Sequence, residues 1–158
     1  MDNAVYRDYT AMNTEFREGI YYLSEGDRDA ALNAFARADI CTVREDTYKN
    51  KYQSFHGLML VYASQSKGIE MCRDAVSGEC FDGDVFYNLA RAELELNNRR
   101  LAIAALRRGL DVDDTHPDLI RLRQRLGIRR DVMFRFLSRD NPLNRLWGKI
   151  TYSKIQQV

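Results

Sequence analysis

Apolar and small positions recur along the chain at helical spacing. Over 18–38 the residues Glu18-Gly19-Ile20-Tyr21-Tyr22-Leu23-Ser24-Glu25 lead into Gly26-Asp27, and Ala30, Ala31, Ala34, Phe35 and Ala38 follow at three- and four-residue steps. This spacing predicts two helices joined by a tight turn. Shifting by 37 residues carries Gly19, Ala31, Phe35 and Ala38 onto His56, Gly68, Cys72 and Ala75. A further 34 carries them onto Ala90, Ala102, Leu106 and Gly109. The same shifts align Tyr52 with Phe86 and Phe55 with Leu89, an aromatic or apolar pair that was not used to set the register. Three repeats of a helix pair are therefore expected at 12–45, 49–82 and 83–116, with Asp46, Thr47 and Tyr48 as an insertion.

The residue types have a physical reason. Two helices approach closely only where side chains are small, which suits Gly19, Ala31, Ala90 and Ala102. Tyr22, Phe35, Tyr52, Phe86 and Leu106 then fill the space between pairs. One pair cannot bury its own apolar face, so at least three must stack and the ends need capping. Beyond Pro117, Leu119, Leu122 and Leu126 form one stripe closed by Gly127, which predicts a cap helix at 117–127. A helical tail is expected over 128–158. Its first helix spans 131–138 with Val132, Phe134, Phe136 and Leu137. Its second begins at Asn141-Pro142, an N-cap followed by a first-turn proline, ahead of Leu143, Leu146, Trp147 and Ile150.

Gly19, Tyr22, Ala31, Phe35 and Ala38 match the pattern of the tetratricopeptide repeat (TPR), which this chain resembles as a single domain over 1–158. The first repeat departs from it with Glu15, Glu18 and Val43 in place of Trp, Leu and Pro. The run 136–146 faintly resembles the closing segment of short bacterial TPR proteins, and the three-repeat plan is similar to that of type III secretion chaperones. The resemblance implies an all-α, antiparallel helix-pair solenoid with C-terminal capping helices. It also implies a concave groove, lined by the first helix of each pair, that holds an extended peptide or short helix. The groove columns are Asn13, Phe16, Ile20 and Leu23, then Asn50, Gln53, Gly57 and Leu60, then Asp84, Tyr87, Arg91 and Leu94, with Arg121 and Arg125 added by the cap helix. Phe16 and Ile20 stand where the carboxylate-binding TPR cochaperones carry Lys and Asn, which speaks against a clamp of that type.

Composition narrows the picture. Apolar residues make up 45% of the chain, enough for a core, while 9 Gly and 2 Pro supply too few turns for a many-stranded barrel. The most apolar window, 57–63, is far short of a membrane span, and the N-terminus has no basic-then-apolar leader. Three cysteines, Cys41, Cys72 and Cys80, without a Cys-x-x-Cys pair fit packed thiols in a reducing, cytoplasmic setting. Residues 1–98 hold 10 Lys/Arg against 17 Asp/Glu, and the remainder 14 against 6, a polarity that either steers an acidic partner to the basic end or reflects only solvated helix faces and contacts between neighbouring helices.

Catalytic signatures are missing. His56 and His116 have no further ligand at metal spacing, and there is no phosphate loop, nucleophile elbow or zinc-protease motif, so neither a cofactor nor a metal is expected. The expected function is that of a non-enzymatic adaptor binding a peptide or protein segment. Two alternatives remain open. Arg121, Arg123, Arg125, Arg129, Arg130, Arg135 and Arg139 offer a surface for nucleic acid or an anionic membrane. The stripe Leu143, Leu146, Trp147 and Ile150 offers a homodimer contact or an intramolecular cap.

Overall fold

The computed structural model describes residues 9–43, 45–77 and 80–128. Among them there are seven helices and no strand: α1 (Thr14–Glu25), α2 (Arg28–Ile40), α3 (Lys49–Tyr62), α4 (Lys67–Ala75), α5 (Gly83–Glu95), α6 (Arg99–Val112) and α7 (Pro117–Arg125). None of them is long and apolar enough to cross a membrane. By its contacts the chain divides into two units, Met1–Arg123 and Gln124–Val158. Of the second, only 124–128 is described, the end of α7 and a turn at Gly127, whose φ of 64° is left-handed. The helices expected at 131–138 and 142–150, with Leu143, Leu146, Trp147 and Ile150, lie outside the described residues, as do Arg129, Arg130, Arg135 and Arg139.

Within the first unit, α1 packs on α2, α3 on α4 and α5 on α6. Successive pairs meet through α2 on α3, α3 on α5 and α4 on α5. The short links oblige the members of each pair to run antiparallel. Local chemistry sets the starts. The Asn13 side chain accepts from the Phe16 amide at 2.8 Å, Asp27 caps α2 through the Ala30 amide at 2.9 Å, and Asp82 caps α5 through the Asp84 amide at 2.9 Å.

The first helix of every pair ends in the same way. Gly26, Ser64 and Asn97 adopt φ of 82°, 59° and 60°. In each case the next amide bonds back five residues: Asp27 to Tyr22, Gln65 to Leu60, Asn98 to Glu93. That double-bonded stop satisfies the last carbonyls of the helix. It also corrects the register of the second pair, since a 37-residue shift places the left-handed residue at 63 and the chain has it at Ser64. The close-approach column moves with it. A Cβ on Gly57 would lie 2.7 Å from the Gly68 carbonyl oxygen, so the small residue of α3 is Gly57 and not His56. His56 instead faces α2, with its Nδ1 2.9 Å from the Asp39 carboxylate. The first pair follows the expected register, a Cβ on Gly19 meeting the Phe35 ring at 2.5 Å.

The core begins as an aromatic cluster. Phe16 is wholly buried, its ring centroid 5.3 Å from Phe35, 5.1 Å from Tyr52 and 5.0 Å from Phe55. Leu58, Met59, Cys72, Val85, Phe86, Leu106 and Leu119 continue it toward α7, whereas Tyr22, expected as filler, is half-exposed. Ahead of α1, residues 9–12 form a turn rather than an extension of the helix, with the Met12 amide bonded to the Tyr9 carbonyl and the Tyr9 ring 5.6 Å from Phe16.

Candidate functional site

The N-terminal ends of α1, α3, α5 and α7 surround a cleft of about 650 Å³, whose lining includes Tyr9, Tyr48, Asn50, Lys51, Phe81, Asp82, Asp84, Asp113 and His116. Its base is a charged network. The Lys51 ammonium donates to the carboxylates of Asp82 and Asp84 at 2.9 Å each, and its side chain is 11% exposed. The other Asp84 oxygen lies 3.1 Å from His116 Nε2, while His116 Nδ1 accepts from the Leu119 amide at 3.3 Å. Because Nδ1 is an acceptor, Nε2 carries the proton and donates to Asp84. His116 thereby caps α7 with one nitrogen and ties it to α5 with the other. The ties of Lys51 to Asp82 and Asp84 and of Asp84 to His116 were not legible beforehand, since those partners are more than 30 residues apart and each looks unremarkable in its own segment.

A second feature lies along α5. Tyr87, Arg91 and Leu94 are half-exposed on one face of the helix. The Arg91 guanidinium sits 5.4 Å from the ring centroids of both Tyr87 and Tyr62, and the Arg28 guanidinium sits 5.0 Å from that of Tyr62. Burial pushes the Tyr62 phenol up, with Arg91 pulling in the opposite direction. The Tyr87 ring also approaches His116, centroid to centroid 6.4 Å, so this face runs directly from the cleft. Arg28 and Tyr62 fall outside the repeat columns, and the signal that could have found them was only Tyr62 at the end of its helix.

The columns expected to face a ligand divide into two sets. Ile20, Leu23, Gln53, Tyr87, Arg91 and Leu94 keep part of their surface, and Asn50 lines the cleft. Four others are buried, a correction to that expectation. Phe16 is core, because the turn at 9–12 lays Tyr9 on it and Phe35, Tyr52 and Phe55 close the remaining sides. Leu60 is buried where its Cβ meets Gly68, and Asp84 is enclosed by Lys51 and His116. Gly57, in the same columns, is buried against Gly68. Asn13 is held as the cap of α1, its amide also donating to the Ala38 carbonyl at 3.3 Å. Arg121 is directed at its own helix, pairing with Asp118 at 3.3 Å and donating to the Pro117 carbonyl. Arg125 is exposed and belongs to the second unit.

The thiols divide as well. Cys41 is exposed. Cys72 is pushed up to about 12 by burial, with the Glu93 carboxylate adding to the effect. Burial also raises Cys80, beside Asp82. Both buried thiols are held in the protonated, weakly nucleophilic form. Among the described residues no group of three His, Cys, Asp or Glu side chains is placed to hold a metal ion. Comparison with protein-family models, with characterised proteins and with solved structures finds no match to this chain.

Proposed function

We propose that the chain is a TPR-like helix-pair solenoid acting as a non-catalytic adaptor, which takes a peptide or protein segment across the exposed face of its first helices. The observation that carries this reading is the α5 face. Tyr87, Arg91 and Leu94 present an aromatic ring, a ring-stacked cation and an apolar side chain in consecutive turns, each half-exposed and continuous with the cleft at His116. Such a row of rigid, amphipathic side chains suits peptide recognition, because stacking has already ordered the groups that a ligand meets. The repeated hairpin stops at Gly26, Ser64 and Asn97 support the repeat architecture on which this reading depends.

The test uses the immobilised full chain against nuclease-treated lysate. Replacing Tyr87→Ala together with Arg91→Glu is expected to abolish capture of salt-resistant protein bands while circular dichroism stays unchanged. Capture retained by that variant places the binding site elsewhere.

A further inference from the structure

We infer that Arg28 and Arg91, both stacked on the ring of Tyr62, form a paired receptor for the side-chain carboxylates of an acidic peptide. This deepens the reading above and rests on it. The two guanidiniums come from different hairpins, Arg28 from the first turn of α2 and Arg91 from the middle of α5, and converge on the one phenol ring at the end of α3. Neither makes an ion pair with a carboxylate among the described residues.

Glu25, Asp27 and Asp29 flank Arg28 in sequence, and none of them forms an ion pair with it among the described residues. Asp27 is engaged as the cap of α2. Glu95 lies one turn beyond Arg91 and near the Tyr62 hydroxyl, and it pairs with neither arginine. By contrast, Arg37 and Arg73 are each matched to a glutamate within 3 Å, Glu18 and Glu93. The face therefore holds two cations against one ring, neither of them in an ion pair among the described residues, which is the complement of an acidic ligand. A guanidinium over a ring presents edge N–H groups to a carboxylate in the two-point geometry that lysine cannot reproduce, and Arg91 gives one of its N–H groups to the Tyr62 hydroxyl.

Peptide carboxylates fit better than a nucleic acid. The rings of Tyr62 and Tyr87, which single-stranded bases would need for stacking, are already covered by guanidiniums. Leu94, three residues from Arg91, supplies an apolar contact that a phosphate backbone cannot use.

The test is fluorescence anisotropy on the full chain at low ionic strength, with a short labelled peptide alternating glutamate and leucine. A matched peptide carries glutamine for glutamate. Tighter binding of the glutamate peptide is expected, by about tenfold or more. Arg28→Ala and Arg91→Ala should each remove most of that preference, at the tenfold scale of a charge-assisted contact. Arg91→Lys, which keeps charge and fold but loses the planar fork, should also weaken binding. Tyr62→Leu, which keeps both charges but removes the ring that orders them, should weaken it several-fold. Glu95→Gln should tighten it by about twofold as a local negative charge is removed. Equal binding of the two peptides overturns the inference while leaving the groove reading intact, provided Tyr87→Ala weakens both. Binding of neither peptide also overturns it, and the groove reading is then decided by the lysate capture alone. Tighter binding of a labelled single-stranded oligonucleotide through the same two arginines overturns it in favour of nucleic acid.

Discussion

The first hairpin and the third follow the same plan and are held together by different physics. Around α1 the interior is rings on rings, with Tyr9, Phe16, Phe35, Tyr52 and Phe55 in one cluster. Around α5 it is threaded with buried charge. Asp84 sits between Lys51 and His116, and Glu93, 3% exposed, accepts from Arg73 at 2.8 Å and from Asn98 at 2.9 Å. Apolar packing is non-directional and leaves nothing for a ligand to read. A network of fixed donors and acceptors costs desolvation but aims side chains. Half-exposed groups stand on both, Ile20 and Leu23 on the first and Tyr87, Arg91 and Leu94 on the third, but only the third adds a ring-held cation, while the phenylalanine expected to face a ligand on the first is consumed by the core.

The sharpest way to break this contrast is to cut each interior. Phe16→Ala should cost about 3–5 kcal/mol by removing the hub of the ring cluster, measured by urea unfolding of the full chain. Asp84→Asn should cost less, about 1.5–3 kcal/mol, because Lys51 retains Asp82 and the amide can still accept from His116. The same order reversed would mean that charge, and not ring packing, dominates the fold.

Gly57→Ala tests the corrected register. Its new methyl would press on the Gly68 carbonyl, so a loss of about 1–3 kcal/mol is expected on urea unfolding. A register in which His56 held the close-approach column would leave Gly57 on an open face, where the same substitution should be neutral or stabilise the helix by up to about 1 kcal/mol.

The smallest effect concerns the thiols. Below pH 9 a thiol reagent should modify Cys41 rapidly and Cys72 only on unfolding. The folded Cys72 value, about 12, lies above its ordinary 9.0, so the fold binds the proton more tightly than the unfolded chain does. Its contribution is complete below pH 9 and is lost as pH rises from there toward 12, a decline that Cys72→Ala should flatten.

The helices, their order and the close approach at Gly19 were legible because each depends on spacing within a few dozen residues. Asn141-Pro142 looked like a strong helix start, but that segment lies outside the described residues. The single-residue slip at Gly57 was hidden because one small residue stands beside a histidine, and the Ser64 stop that reveals it requires a backbone angle no composition displays. The candidate site was legible in part. Tyr87, Arg91 and Leu94 were named by the resemblance and keep part of their surface, but the removal of Phe16 by Tyr9 and the meeting of Arg28, Tyr62 and Arg91 depend on how hairpins stack. Pairwise contacts across that distance are not encoded in periodicity.

The central claim is that the proposed binding face centres on α5, with Arg28 and Tyr62 converging on it from the first two hairpins. The direct measurement compares capture of salt-resistant protein from nuclease-treated lysate by wild type, by Ile20→Ala with Leu23→Ala on α1, and by Tyr87→Ala with Arg91→Glu on α5. The account predicts that the α1 variant retains most of the captured protein and the α5 variant loses it. Loss confined to the α1 variant, or equal retention by both, would contradict it.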